Sequence, residues 1–230
     1  MDPLPPFTAV VLAGGRAARL GGQAKPPLAV GGRPILAAVL DAAADADRRI
    51  VVGPPQPVPA DVLLVREQPP GGGPVAAVRA GLADVGTDVV VVLAGDLPFL
   101  TAEVVRGLRE RLTGDGVLVV DGSRRDQYLL GAWRTAALRA ATDTATGPSS
   151  LRRVLSPIAF SRWHPEVRPG EPPPGLDCDT PADLARARAI ADGHLPPPAP
   201  SRPPEPAPPP PPAQAPPSLF PRFQAPREPG

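Results

Sequence analysis

Five short apolar runs recur through the first 120 residues: FTAVVLAG (7–14), RIVVG (49–53), DVLLV (61–65), DVVVVLAG (88–95) and GVLVV (116–120). They are too short for helices, rich in β-branched valine, and continuous rather than alternating. That pattern suits strands buried on both faces, as in a parallel sheet covered by helices. Alanine- and leucine-rich stretches with helical spacing lie between and after them, at 34–47, 74–84, 101–112, 135–141 and 181–192. Regular strand–helix alternation predicts an α/β fold with a parallel sheet and right-handed crossovers.

Two helix starts are well punctuated. Thr101, in FLTAEVV, stands where an N-cap belongs. In DTPADLARARAIADG, Thr180 takes the N-cap, Pro181 the first helical position and Asp183 the third, and Gly193 follows the end. Residues 121–176 are less regular. They hold one expected strand, QYLLGAW (127–133), and a short helix after Pro148-Ser149-Ser150, and we read them as the acceptor-substrate region.

Composition changes sharply near residue 195. Of 39 prolines, 17 fall in 195–230, five of them consecutive from Pro208 to Pro212. So few apolar side chains cannot offset the entropy of ordering that segment. The expected organisation is a folded unit over 1–194 and a disordered, proline-rich tail over 195–230. The formal net charge of +1 gives no electrostatic reason to expect nucleic acid. No apolar run reaches the roughly 18 residues that suggest a membrane span. The start, MDPLPPF, lacks the features of a secretory signal, and the single cysteine excludes an intramolecular disulfide. The expected setting is the cytoplasm, with neither membrane nor nucleic acid as partner.

Ligands of α/β sheets bind beyond the carboxyl ends of the strands, so the turns there matter most. The first is LAGGRAARLGGQAK (12–25). Its glycines, at 14, 15, 21 and 22, do not form the G-x-G-x-x-G of a dinucleotide fingerprint. Lys25 lies between Ala24 and Pro26, so the stretch is not a P-loop either. Two readings remain: a longer phosphate-cradling loop, with Gly14 and Gly15 admitting an anion to the backbone and Arg16, Arg19 and Lys25 supplying charge, or a plain surface loop. Lys25 is the only lysine among 24 basic residues. The second turn, AGDLP, carries Asp96, either a Mg²⁺ ligand or a cap. The third, LDCDTP, carries Asp177 and Asp179. In an extended segment both point one way and Cys178 the other. We read Asp177 as a solvated turn residue and Cys178 as a small buried hydrophobe. Trp133 and Trp163 read as packing residues, and His164 and His194 have no evident partners for metal or acid–base work.

These blocks resemble the molybdenum cofactor guanylyltransferase family, GT-A-like nucleotidyltransferases with a Rossmann-like fold. Leu12-Ala13-Gly14-Gly15, Arg19-Leu20-Gly21 and Lys25-Pro26 match its nucleotide loop. GGGPVAAVRAGL (71–82) resembles its G-P-L-A-G segment, VVVLAGDLPFLTAEVV (90–105) its metal-aspartate strand, and LDCDTPADLARA (176–187) its closing segment. The resemblance implies a three-layer sandwich on a mostly parallel sheet, and transfer of GMP from GTP to the phosphate of molybdenum-molybdopterin with release of pyrophosphate. It implies that Leu12, Ala13, Gly14 and Gly15 contact the nucleotide through the backbone. Arg19 and Lys25 would bind the triphosphate and act in catalysis, and Glu67 would be a further nucleotide contact. Asp96 would bind both the nucleotide and Mg²⁺. Enzymes that make or receive the cofactor would be its protein partners.

The chain departs from the family pattern at Ala24 (usually Asp), Leu20 (Met), Ala77 (Gly) and the pair Asp177 and Asp179 (Asn). D-x-D-T-P is closer to the related cytidylyltransferase branch and would make Asp179 a second Mg²⁺ ligand. The basic and hydroxyl residues Arg124, Arg125, Ser149, Ser150, Arg152 and Arg153 are candidates for the acceptor's phosphate. The rival readings are transfer of CMP, transfer to a sugar or alcohol phosphate, and a non-catalytic nucleotide-binding or adaptor protein whose tail docks a proline-reading partner.

Overall fold

The computed structural model describes residues 3–14, 28–145 and 149–197. Strand β1 (Phe7–Leu12) leads to a small hairpin, β2 (Ala29–Val30) and β3 (Arg33–Pro34), and then to α1 (Ile35–Ala42). There follow β4 (Arg48–Val52), β5 (Val62–Val65), α2 (Gly73–Leu82), β6 (Val89–Ala94) and α3 (Ala102–Glu110). The chain continues through β7 (Gly116–Val120), β8 (Asp126–Arg134), α4 (Thr135–Asp143), α5 (Leu151–Leu155), β9 (Phe160–Trp163) and α6 (Pro181–Ala191). Seven strands form one sheet in the order β5-β4-β1-β6-β8-β7-β9.

All six residues of β1 are buried, because helices cover the sheet on both sides. Phe7, Ala9 and Val11 pack in one core with Val39 of α1 and Val105 and Leu108 of α3. Val10 and Leu12 point the other way, into a core with Val78 and Leu82 of α2 and Leu138 of α4. The two-residue period of a strand thus divides one apolar run between two cores, giving the expected three-layer sandwich. Close packing is tightest over Gly81 of α2, where a Cβ would lie 2.4 Å from Val10 Cγ1. Trp133 is fully buried and meets Phe160 edge to face, and Trp163 lies against Gly107. Both tryptophans are packing residues.

The structure departs from the sequence reading in a few places. β8 runs antiparallel to β6 and β7, a reversal that the strand–helix alternation alone does not show, and the sheet is mostly parallel, as the family resemblance implies. The cause of the reversal is the short connection over 121–125, since a parallel return needs a long crossover. Asp121 Oδ1 closes that turn, accepting from the backbone N–H groups of Ser123 (2.7 Å) and Arg125 (2.9 Å). The β2–β3 hairpin has no counterpart among the expected elements. It turns on Gly31 and Gly32, both at positive φ (56° and 74°), which a glycine pair adopts without strain. Nor does the sequence pattern mark β9, because FSRW alternates burial only weakly at the sheet edge. Thr101 holds the N-cap backbone position of α3, but its side chain makes no capping bond. Its carbonyl instead accepts from Val104 N (3.1 Å). No helix among the described residues is long and apolar enough to cross a membrane. The expected tail lies outside the described residues from 198 onward.

Candidate active site

The chain steps outward from β1 to β4 and β5, then returns through α2 to β6 on the other side of β1. Such a reversal leaves a crevice at the carboxyl ends of the strands. Here the ends are held close by bonds that continue the ladder beyond the strands. Ala13 N donates to Val52 O (2.8 Å), Gly95 N to Leu12 O (2.9 Å) and Gly53 N to Val65 O (3.0 Å). Both glycines are required for that approach. A Cβ on Gly95 would sit 2.9 Å from Leu12 O, and one on Gly53 would sit 2.9 Å from the carbonyl carbon and oxygen of Ala13. The backbone that opens the glycine-rich loop is therefore clamped from both sides.

A cleft of about 690 Å³ opens above this clamp. Leu12, Gly14, Glu67, Asp96 and Asp179 all line it. These residues come from separate sequence blocks, and five of the nine positions read from the sequence meet in one cavity. Ala13 is the clamped residue between two of them. Gly15, Arg19 and Lys25 lie outside the described residues, as does Ala24. The cleft also draws in Pro54 and Arg66, which the sequence motifs do not single out, together with Pro74 and Ala77 of the GGGPVAAVRAGL block. Pro54 and Arg66 follow the carboxyl ends of β4 and β5, so the strand-end rule would have found them.

Asp96 follows β6 and is turned inward. Its Oδ1 is buried with no hydrogen-bond partner among the described residues. Its carboxyl is pushed up to about 6, first by burial and then by the like charges of Asp179 and Asp177. It does not cap α3, whose N-cap is Thr101. Asp179 is held in place by the start of α6. Thr180 Oγ1 accepts from Asp183 N (3.2 Å), and Asp183 Oδ2 accepts from Thr180 N (2.8 Å), a reciprocal capping box that opens the helix. Cys178 is fully buried in a small core with Val30, Ile35 and Leu184, while its neighbours Asp177 and Asp179 are exposed. This is the alternation expected of an extended segment. Burial, with Asp96 and Asp177 nearby, pushes the Cys178 thiol up to about 12, so it stays protonated and inert. Asp177 is more than the plain solvated residue expected. It is exposed, yet near enough to Asp96 and Asp179 that its own carboxyl is also raised, chiefly by partial desolvation and then by Asp179.

No group of three or more His, Cys, Asp or Glu residues forms a ready-made metal cage among the described residues. The donors present still fit Mg²⁺. That ion takes hard oxygen ligands, typically one or two carboxylates with the rest from water and substrate phosphates. Asp96 and Asp179 repel one another, and Asp96 has a buried oxygen without a partner among the described residues. A divalent cation would relieve both conditions.

Glu67 sits across the cleft, after β5. Its Oε1 accepts from Gly71 N (2.9 Å), and its Oε2 is buried with no partner among the described residues. The acceptor-phosphate candidates are arranged differently. Arg124 and Arg125 belong to the β7–β8 turn, and Arg152 and Arg153 are exposed on α5. Ser150 is occupied as the N-cap of α5, accepting from Arg153 N (3.3 Å). None of these, nor Ser149, lines the cleft.

Comparison with known proteins agrees with the fold and the blocks. The family model described as MobA-like NTP transferase domain matches residues 9–165. A probable molybdenum cofactor guanylyltransferase of Mycobacterium tuberculosis is 33% identical over 138 residues, which cover 56% of this chain and 69% of the relative. The molybdenum cofactor guanylyltransferase of Cereibacter sphaeroides is 28% identical over 192 residues, 79% of this chain and 95% of the relative. Among solved structures, the 2-C-methyl-D-erythritol 4-phosphate cytidylyltransferase of Thermus thermophilus superposes with a TM-score of 0.61 at 21% identity, covering 80% of this chain and 98% of that one. At that identity the likeness shows the fold alone, the same α/β sandwich.

Proposed function

The chain belongs to the MobA-like NTP transferase family, and from that premise we propose that it transfers GMP from GTP to the terminal phosphate of molybdenum-molybdopterin. Relatives named molybdenum cofactor guanylyltransferase support this substrate pair. The single observation that carries the reading is the convergence of Leu12, Gly14, Glu67, Asp96 and Asp179 on one cleft at the carboxyl edge of the sheet.

An acceptor phosphate oxygen forms a bond to the α-phosphorus of GTP. The bond from that phosphorus to the oxygen bridging it to the β-phosphate breaks, and pyrophosphate leaves with the electron pair. The attacking oxygen is already anionic at neutral pH, so the protein needs no strong base. Its contribution is alignment and neutralisation of charge. The clamped Ala13–Gly14 backbone sets where the triphosphate enters. Arg19 and Lys25 bring positive charge to it. Asp96 and Asp179 hold Mg²⁺, which, when bound, offsets negative charge on the phosphates. Glu67 faces the nucleoside. Enzymes that make the cofactor, or receive it, would be the protein partners.

The segment Asp177-Cys178-Asp179 favours a second reading, CMP transfer, because two aspartates replace the two asparagines of the guanylyl pattern. One experiment separates the two. The protein is incubated with molybdenum-molybdopterin, Mg²⁺ and either GTP or CTP, and the product is identified by mass with pyrophosphate measured in parallel. Guanine dinucleotide product and pyrophosphate from GTP are expected. Product from CTP alone would replace the first reading with the second, and product from neither would refute both.

A further inference from the structure

Arg66 lines the same cleft as Glu67, is exposed, and has no hydrogen bond or ion pair among the described residues. An arginine next to a glutamate in sequence would ordinarily be expected to lean on an available carboxylate. Here one glutamate oxygen is tied to Gly71 N and the other is buried without a partner among the described residues. The pair therefore presents an acceptor-only group and a donor-only group to one cavity, each with unused capacity.

Their place along the sheet says which part of a nucleotide they face. Both follow β5, and the Mg²⁺-type carboxylate Asp96 follows β6. β4 and β1 lie between them. Three strand spacings separate the two ends by roughly 14 Å. That is comparable to the reach from the α-phosphate of an extended purine nucleotide to the far edge of its base. With the reacting phosphate near Asp96, the base lies at the β5 end, beside the apolar walls of Pro54, Pro74 and Ala77.

Guanine has N1–H and N2–H₂ donors on one edge and O6 and N7 acceptors on the next. A carboxylate pairs with the first, and a guanidinium pairs bidentately with the second. Cytosine offers one amino donor beside acceptors and cannot satisfy both side chains in this way. Resting on the guanylyl reading above, we infer that Arg66 is a specificity-determining residue: its guanidinium reads the O6/N7 edge of the guanine whose N1/N2 edge is read by Glu67.

The test is an equilibrium titration of the full chain and its R66A variant with GTP, 7-deaza-GTP, inosine triphosphate and CTP, all with Mg²⁺. The wild type should bind 7-deaza-GTP, which lacks the N7 acceptor, about tenfold more weakly than GTP, the lower part of the range for one bidentate base contact. R66A should bind GTP and 7-deaza-GTP equally. It should still disfavour inosine triphosphate, which lacks the amino group opposite Glu67. Arg66 is exposed, so melting of R66A should match the wild type, and R66K, which keeps charge without the fork, should recover only part of the GTP preference. Preference for GTP over CTP with an unchanged 7-deaza ratio in R66A would overturn the inference and leave the guanylyl reading standing. Equal or tighter binding of CTP by the wild type would overturn the guanylyl reading itself, and the inference with it.

Discussion

Replacing Asp96 by Asn should make the ligand-free protein more stable and remove its activity. The Asp96 carboxyl stands at about 6 in the fold against an ordinary 3.8, with burial the first cause and Asp179 and Asp177 the next. A raised carboxylate holds its proton more tightly in the folded state than in the unfolded state. Its contribution is therefore most favourable below pH 3.8 and is lost as pH rises through 6. The gap of about two units, at 1.36 kcal/mol each, amounts to about 3 kcal/mol of folding free energy spent on keeping this group charged at pH 8. Asn has the same shape and no charge to desolvate, so the variant should gain about 1–3 kcal/mol at pH 8 and nothing at pH 4. Urea unfolding of both proteins at the two pH values, without divalent cations, measures this directly. Adding Mg²⁺ should then raise the wild-type midpoint and leave that of the variant nearly unchanged. An Asp96→Asn protein no more stable than wild type at pH 8 would refute the electrostatic reasoning. Retained pyrophosphate release would refute the metal-ligand role.

Gly95→Ala places a methyl 2.9 Å from Leu12 O. It should cost about 1–3 kcal/mol by thermal or urea unfolding and lower kcat more than exposed substitutions do, because it parts β1 from β6 at the clamp. Thr180→Ala breaks the capping box, should cost about 1 kcal/mol, and should raise the Mg²⁺ concentration needed for half-maximal activity by loosening Asp179. Lys25→Ala should leave the melting temperature within a degree or two and strongly reduce GTP-dependent pyrophosphate release. Unchanged release would remove Lys25 from the reaction.

The sequence is most legible where burial and local chemistry act together. The runs at 7–14, 49–53, 61–65, 88–95 and 116–120 form strands β1, β4, β5, β6 and β7, within a residue or two at each end, because a strand buried on both faces needs an unbroken apolar run. Thr180, Pro181, Asp183 and Gly193 bracket α6 correctly, since caps and helix ends are decided by neighbouring backbone. The candidate site is legible as separate blocks: Leu12 through Gly14, Glu67, Asp96 and Asp179 each stand at a strand end or just before a helix.

Only the tertiary structure decided how these pieces relate. The antiparallel course of β8 depends on the short turn closed by Asp121, and the run QYLLGAW reads the same in either direction. That Glu67 faces Asp96 across a cleft depends on the strand order β5-β4-β1-β6, which no local pattern encodes. The unpaired Asp96 Oδ1, the unpaired Glu67 Oε2 and the exposed Arg66 beside it owe their state, among the described residues, to what the fold brings near them and what it leaves away. Hydrophobic pattern and capping are local or nearest-neighbour properties and can be read along the chain. Desolvation, like-charge proximity and the shape of a cleft arise between segments that meet only after the sheet has assembled.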